Sequence, residues 1–100
     1  MAKYHITRKA VEDLSAIWEY TSETWSESQA DNYYRKFVEV FKSICRSTVA
    51  NIDREYKEIK SGLFGRKCGK HIIFYKQIPN GDFEIIRILH SRMDIVHKFK

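Results

Sequence analysis

Two neighbouring stripes of apolar residues at helical spacing constrain the fold of this chain more than any other feature. The first stripe predicts an amphipathic helix from about Arg8 to Thr24, with members Ala10, Leu14, Ile17 and Thr21. The second stripe has members Ala30, Tyr34, Phe37, Phe41, Ile44 and Thr48. Because only one or two residues join the stripes, the two helices are expected to fold back as an antiparallel hairpin.

The ends of these helices carry recognisable capping residues. Thr7 stands at the N-cap position of the first helix. Ser26 and Gln29 have the spacing of a capping box for the second helix, and Trp25 stands where a hydrophobic staple is expected. The connection between the helices is therefore predicted to be tight.

Strand patterns lie on either side of the helix hairpin. A short alternating segment contains Tyr4 and Ile6, and two β-rich segments, 70–78 and 83–90, flank a Pro-Asn-Gly-Asp turn. The segment 56–60 is a further candidate strand, with a turn at 61–62 and a basic loop at 65–69. The order strand, helix, helix and about three strands predicts one α+β domain over residues 1–100, with a small antiparallel sheet.

The last strand is apolar on both faces. Strict alternation places Phe83, Ile85, Arg87 and Leu89 on one face, opposite Glu84, Ile86, Ile88 and His90. The helix hairpin can cover one face. The other face is expected either to be covered by the C-terminal tail or to form a groove for a partner.

Composition narrows the class of protein. A hydrophobic content of 43% argues against disorder, and a net charge of +5 favours an acidic partner. The N-terminus lacks an apolar signal region and no run approaches the roughly 20 apolar residues of a membrane span. A cytoplasmic protein with free thiols at Cys45 and Cys68 is expected. The spacing of the cysteines and histidines matches no metal motif, so neither a metal nor another cofactor is predicted.

Acid–base cleavage of RNA is the catalytic alternative that the residue types allow. It requires a base, an acid and cations for the transition state, and the candidates are Glu58, Arg87, His90 and Arg92. Alternation directs Arg87 and His90 to opposite faces, which argues against this set. In the other interpretation, Arg87 covers apolar surface and pairs with a carboxylate, while His90 forms a hydrogen bond at the strand end.

Both halves of the chain carry an ordered pattern of residues. The N-terminal half has Ala10, Asp13-Leu14, Ile17, Tyr20, Trp25 and Gln29-Ala30. The C-terminal half has Glu58-Ile59, Gly62-Leu63, Gly69-x-His71-x-Ile73-Phe74-Tyr75 and Ile85-Ile86-Arg87-Ile88-Leu89-His90-x-Arg92-Met93-Asp94. In this order the two patterns resemble one family, the ParE-type toxins of bacterial toxin–antitoxin pairs. Where the family often has a Pro and a Gly-Arg, this chain has Ala50 and Asp53-Arg54, so the loop geometry there is left open.

The resemblance implies a fold, an activity and partners. The fold is the one that ParE-type and RelE-type toxins share. The activity is inhibition of DNA gyrase, without enzymatic catalysis. The partner is a cognate ParD-like antitoxin with an acidic C-terminal segment, in a hetero-oligomer that involves no membrane and reaches DNA only through the antitoxin or gyrase. RelE-like, ribosome-dependent cleavage of mRNA is the alternative, and it is less favoured because no Tyr follows His90.

Two sets of contact residues follow as hypotheses. The antitoxin is expected to contact the last strand and the first helix through Leu14, Ile17, Trp18, Ile85, Arg87 and Leu89. Gyrase is expected to contact the C-terminal segment through His90, Arg92, Met93, Asp94 and His97. Truncation after Leu89 is then expected to abolish toxicity and to leave antitoxin binding intact.

Overall fold

A computed structural model of the chain describes residues 2–46 and 53–99, so the predictions for Thr48 and Ala50 lie outside the described residues. Within these ranges there are five strands and three helices. In chain order they are β1 (Tyr4–Ile6), α1 (Arg8–Thr24), α2 (Glu27–Arg46), β2 (Arg54–Glu55), β3 (Phe64–Cys68), β4 (His71–Gln77), β5 (Phe83–His90) and α3 (Ile95–Lys98).

The helix hairpin forms as the apolar stripes predict. Thr7 caps α1, and its hydroxyl accepts a hydrogen bond from the Ala10 amide at 3.1 Å. The Ser26 hydroxyl accepts from the Gln29 amide at 3.1 Å, which confirms the cap of α2. The predicted staple is wrong, because Trp25 is 75% exposed and its backbone instead closes the end of α1 by donating to the Thr21 carbonyl.

The strands form one mixed sheet in the order β1-β5-β4-β3-β2. β1 runs parallel to β5, and the other pairs are antiparallel. Residues 65–68 of the predicted basic loop belong to β3, because they pair with β4 residue by residue, and Gly69 lies in the turn that follows. The predicted strand at 56–60 is instead a turn, in which the Tyr56 carbonyl accepts from Ile59 and Lys60. The secondary structure of these two segments depends on whether a neighbouring strand pairs with them, and local composition does not reveal this.

A β-bulge interrupts the alternation of β5. Tyr75 pairs with Ile85 and Phe74 pairs with Arg87, so Ile86 is an extra residue in the ladder. One extra residue shifts every later side chain to the other face. Ile85 therefore lies in the core on the helix side, whereas Leu89 lies in the core on the opposite side of the sheet. The prediction that these two residues share a face is wrong.

Both faces of the sheet carry a core. On the helix side, Phe37, Phe41 and Ile44 of α2 pack with Ile73, Ile85 and Ile88. On the other side, the core of Leu63, Ile72, Phe74 and Leu89 is covered by Tyr56, Ile59, Ile95 and Phe99. The C-terminal tail thus covers the second face, which is one of the two arrangements that the sequence left open.

A polar network joins the end of α2 to the sheet. Arg66 of β3 donates two hydrogen bonds of 2.8 Å to Asp53 and one of 3.0 Å to the Ser43 hydroxyl. The Tyr75 hydroxyl also donates to Asp53. Asp53 is the first residue of the Asp53-Arg54 pair, at a place where ParE-type toxins often have Gly-Arg. In this chain its carboxylate links β3 to β4 through Arg66 and Tyr75.

Candidate docking groove

An open groove of about 1070 Å³ lies between α1, the first half of α2, the β3–β4 turn and the end of β5. Its lining includes five basic side chains, namely Lys36, Lys70, Arg87, Arg92 and Lys98. Asp13 is the one carboxylate among the lining residues that the structure describes. The exposed rings of Tyr20 and Trp25 and the side chain of Met93 add apolar surface. This groove combines positive charge with large apolar contacts.

Asp13 organises the wall of the groove where β1 ends. β1 pairs with β5 only as far as Ile85, which leaves the next part of that edge without a strand neighbour. Asp13 of α1 takes this place by accepting from the Ile88 amide at 3.0 Å. The same carboxylate accepts from Arg87 Nε at 2.8 Å and Nη2 at 2.9 Å. The bidentate bond raises the pKa of Arg87 and fixes α1 against β5.

Tyr33, His71 and His90 form a cluster at one end of the groove. The Tyr33 hydroxyl lies 2.8 Å from His71 Nδ1, and the imidazole rings of His71 and His90 are 5.2 Å apart. His90 Nδ1 accepts from the Arg92 amide at 3.1 Å. Burial, followed by the charge of His90, lowers the pKa of His71 to about 4. His71 is therefore neutral at pH 7, beside a second imidazole and a phenol.

Gly69 in the β3–β4 turn allows this cluster to form. Its φ of +60° lies in the left-handed region. A Cβ at this position would lie 2.6 Å from the Tyr33 hydroxyl, which accepts from the Lys70 amide at 3.2 Å. Glycine is required here both by the turn and by the close approach of Tyr33.

Three of the six predicted antitoxin residues line the groove, namely Ile17, Arg87 and Leu89. Leu14 and Ile85 do not, and with 7% and 0% exposure they are core residues between α1 and the sheet. Both side chains are used for packing in the core on the helix side, and their contact with a partner stays a prediction. Trp18 is half-buried and donates to Asp31 of α2 at 3.0 Å.

The predicted gyrase residues divide in a similar way. His90, Arg92 and Met93 line the groove. Asp94 and His97 lie beyond it in α3, where Asp94 is the N-cap and bonds to the His97 ring. Residues assigned to two separate surfaces thus meet in one groove.

The predicted ribonuclease set is only partly brought together, because Arg87, His90 and Arg92 line the groove and Glu58 does not. Glu58 follows β2, at the opposite edge of the sheet from β1, and pairs with Arg54 at 2.6 Å. β2 is three strand positions from β5, or roughly 14 Å. Arg87 is bound to Asp13 as described above, which is the carboxylate pairing expected in the other interpretation. His71, which was not among the predicted catalytic residues, is the side chain that lies beside His90.

Neither cysteine is set up as a nucleophile. Cys68 is buried, and burial raises the pKa of its thiol, with Lys36 acting weakly in the opposite direction. Burial also raises the pKa of Cys45, which is half-buried. Across residues 2–46 and 53–99, no helix is both long and apolar enough to cross a membrane.

Comparisons with known proteins place the chain in a family. A model of the family described as "ParE toxin of type II toxin-antitoxin system, parDE" matches residues 4–95. Toxin ParE1 of Mycobacterium tuberculosis is 32% identical over 95 residues, which is 94% of each chain. Toxin ParE1 of Caulobacter vibrioides is 30% identical over 96 residues, again 94% of each chain.

Solved structures share the fold. The chromosomal ParDE toxin–antitoxin system from P. aeruginosa superposes with a TM-score of 0.72 at 22% identity, covering 90% of this chain and 96% of that chain. The toxin–antitoxin complex RelBE2 from Mycobacterium tuberculosis gives 0.66 at 14% identity, covering 90% and 98%. The predicted α+β fold is confirmed. By its family model and its relatives, this chain belongs to the ParE-type toxins of type II toxin–antitoxin systems.

Proposed function

We propose that this toxin inhibits DNA gyrase in the cytoplasm without itself being an enzyme, and that a ParD-like antitoxin neutralises it by docking in the groove. One observation carries the proposal. The groove combines residues predicted to contact the antitoxin with residues predicted to contact gyrase. A single bound segment would therefore cover both sets.

Charge supports an acidic segment as the occupant. Five basic side chains and one carboxylate line the described part of the groove, and that carboxylate is already engaged by Arg87 and the Ile88 amide. The chain as a whole carries a net charge of +5. A disordered acidic segment gains both charge neutralisation and order when it binds such a surface.

Exposed aromatic side chains in the groove support binding of an antitoxin segment that carries apolar residues. Tyr20 and Trp25, at 69% and 75% exposure, line the groove near the end of α1. Large exposed aromatic side chains at a groove are typical of anchor points for a partner. The structural match to the ParDE system from P. aeruginosa agrees with an antitoxin as that partner. Among the residues that the sequence predicts to contact the antitoxin, Ile17 and Arg87 remain the best candidates, since Leu89 is only 2% exposed.

Occlusion explains neutralisation in this proposal. Arg92 and Met93 are exposed at the groove and are the residues best placed to contact gyrase. A segment that fills the groove covers them. Asp94 and His97 lie beyond the groove and would stay accessible in the complex, so they are the weaker candidates for a contact that the antitoxin must block.

Ribosome-dependent cleavage of mRNA is the second candidate, and the His71–His90 pair is the observation that favours it. Two imidazoles beside Lys70 and Arg92 offer a base, an acid and cations for phosphodiester cleavage. A pair of assays on the purified chain distinguishes the two functions. Inhibition of gyrase supercoiling without cleavage of ribosome-bound mRNA supports the proposal, and cleavage without inhibition overturns it.

Matched variants connect the activity to the groove. Arg92→Ala is expected to reduce inhibition of supercoiling at least several-fold, because Arg92 lies at the exposed rim of the groove. Lys42→Ala on the outer side of α2 is the control, since Lys42 is exposed and lies outside the groove. Equal inhibition by both variants would place the gyrase contact elsewhere.

A further inference from the structure

The cluster at the end of the groove has unused hydrogen-bonding capacity. The His71 and His90 rings each form a hydrogen bond through Nδ1. Among the described residues, neither His71 Nε2 nor His90 Nε2 has a hydrogen-bond partner. His90 Nδ1 accepts from the Arg92 amide, so the neutral ring carries its proton on Nε2 and can donate. We call Tyr33, Lys70, His71, His90 and Arg92 the imidazole subsite.

Tyr33 fixes the protonation pattern of His71. Its hydroxyl lies 3.0 Å from the Cys68 carbonyl, 3.2 Å from the Lys70 amide and 2.8 Å from His71 Nδ1. A hydroxyl has one proton to donate, so all three contacts are hydrogen bonds only when Tyr33 donates to Cys68 and accepts from the other two. His71 Nδ1 then carries the ring proton and Nε2 carries a lone pair. His71 can donate through Nε2 only after it takes up a second proton.

The surroundings of the two imidazoles are positively charged. α1 contributes Asp13, and β5 contributes Arg87, which is bound to it. The remaining charged or titratable groups around the cluster are Tyr33 and Lys36 of α2, Cys68 of β3, Lys70 of the turn, Arg92 of the tail and Lys98 of α3. Within the described residues, Lys36, Lys70 and Arg92 form no ion pair. An anion is the group that this end of the groove lacks.

We infer that the imidazole subsite receives a carboxylate side chain of the docked antitoxin segment, and that docking is accompanied by proton uptake at the His71–His90 pair. The inference rests on the proposed function, because the antitoxin is the occupant. An aspartate or glutamate against the two rings would accept from His90 Nε2–H and from the protonated His71 Nε2. The proton comes from solvent, and Lys70 and Arg92 supply the longer-range attraction.

The direction of the pH dependence follows from linkage. The bound carboxylate stabilises the imidazolium form, so the complex binds more protons than the free chain does. Affinity must therefore rise as the pH falls through the range in which imidazoles titrate. A groove that attracts acidic segments through its lysines and arginines alone would show little change there, since those side chains stay charged.

The test uses the full chain and a short oligoglutamate peptide as the probe. Binding is measured from about pH 8 to about pH 6, the range in which histidine titrates, and the imidazole resonances are followed by NMR. We expect oligoglutamate to shift the His71 and His90 resonances and to bind several-fold more tightly at the lower pH. His71→Gln is expected to abolish this pH dependence, because it removes the ring that takes up the proton. His5→Gln, which changes a histidine outside the groove, is expected to leave it unchanged.

Three results would overturn the inference. They are equal binding of an oligoglutamine twin, unmoved imidazole resonances, or an unchanged pH dependence in His71→Gln. Preferential binding of oligothymidylate would assign the subsite to phosphate and would also overturn it. The supercoiling assay separates the two proposals. If the chain inhibits gyrase but does not bind oligoglutamate as expected, the proposed activity stands and the carboxylate subsite is contradicted. If it binds oligoglutamate as expected but does not inhibit gyrase, only the proposed gyrase activity is contradicted.

Discussion

Asp13 shows how one side chain links a helix, a strand edge and the groove. It accepts from Arg87 twice and from the Ile88 amide, and both partners of the ion pair are largely buried, with side-chain exposures of 15% and 16%. The sequence indicated that Arg87 would pair with a carboxylate. It could not identify Asp13, because the contact joins residues 74 positions apart and depends on how α1 docks on the sheet.

Replacement of Asp13 tests this contact. Asp13→Asn leaves Arg87 charged and without its carboxylate, so we expect the free energy of unfolding to fall by roughly 3 kcal/mol. Urea denaturation measures the change. The matched control is Glu12→Gln on the same helix, which breaks the exposed pair with Arg8 and is expected to have little effect. Similar losses in both variants would mean that the buried pair does not stabilise the fold.

Two glycines with positive φ provide a second test at the residue scale. Gly69→Ala and Gly62→Ala each place a Cβ in the left-handed region, at a cost of about 1–2 kcal/mol. Only the Cβ at residue 69 also collides with Tyr33, because nothing lies within 4 Å of the one at residue 62. Thermal unfolding is expected to show a larger loss for Gly69→Ala, together with shifted His71 resonances. Equal losses would argue against close packing of Tyr33 on the turn.

At the level of elements, the long amphipathic helices were predictable and the strand register was not. The first helix has the predicted bounds, because its apolar spacing and its Thr7 cap agree. A hairpin without irregularity would place Lys70 opposite His90. The extra residue Ile86 shifts this register and pairs His71 with His90 instead. No local residue preference marks the bulge, so the imidazole cluster could not be predicted from the sequence.

The short helix α3 depends on its packing for stability. A helix of four residues is too short to be stable alone, and its contacts with the sheet are made by Ile95 and Phe99, whose ring lies 5.1 Å from that of Phe74. Truncation after Leu89 would remove this cover from the second core. The truncation predicted from the sequence would therefore confuse loss of function with loss of folding, and point variants such as Arg92→Ala are the better test.

Phe99→Ala measures that packing. Since Phe99 is only partly buried, we expect a loss of roughly 1–2 kcal/mol in the free energy of unfolding and faster hydrogen exchange in α3. Val96→Ala, at a position that is 44% exposed on the same helix, is the control and should change little. If Phe99→Ala behaves like the control, the tail does not contribute to the second core.

At the scale of the whole molecule, one sheet separates two cores with different consequences for function. The core on the helix side fixes α1 and α2 as walls of the groove. The core on the other side holds the tail, so that Arg92 and Met93 stay at the groove rim. The strand pattern predicted a core on the helix side and left open whether the second face is covered or forms a groove. It did not predict that the residues expected to contact the antitoxin and those expected to contact gyrase would share one groove.

The free energy of unfolding is expected to depend on pH because His71 is buried in the folded chain. Burial lowers the pKa of His71 from 6.5 to about 4 in the folded chain, so the unfolded chain binds the proton more tightly. The stabilisation is fully present above about pH 6.5 and is lost as the pH falls toward 4. After allowance for partial exposure of the ring, the expected loss is roughly 1–3 kcal/mol.

Denaturation curves across this window test the assignment. His71→Gln removes the titrating group and is expected to flatten the pH dependence between 6.5 and 4, whereas the wild-type chain and His5→Gln should keep it. Asp82 has a pKa lowered from 3.8 by the Lys3 amide and by His5, and Asp94 has a pKa lowered from 3.8 by His97, so the stability that they contribute is lost mainly below this window. Glu58, whose pKa is lowered from 4.5 by its own backbone amide and by Arg54, contributes near the lower end of the window, in the wild-type chain and in both variants alike. An unchanged slope in His71→Gln would mean that another group destabilises the fold in acid. It would also remove the basis for proton uptake at this ring when the groove is filled, because that uptake requires His71 to be neutral in the free chain.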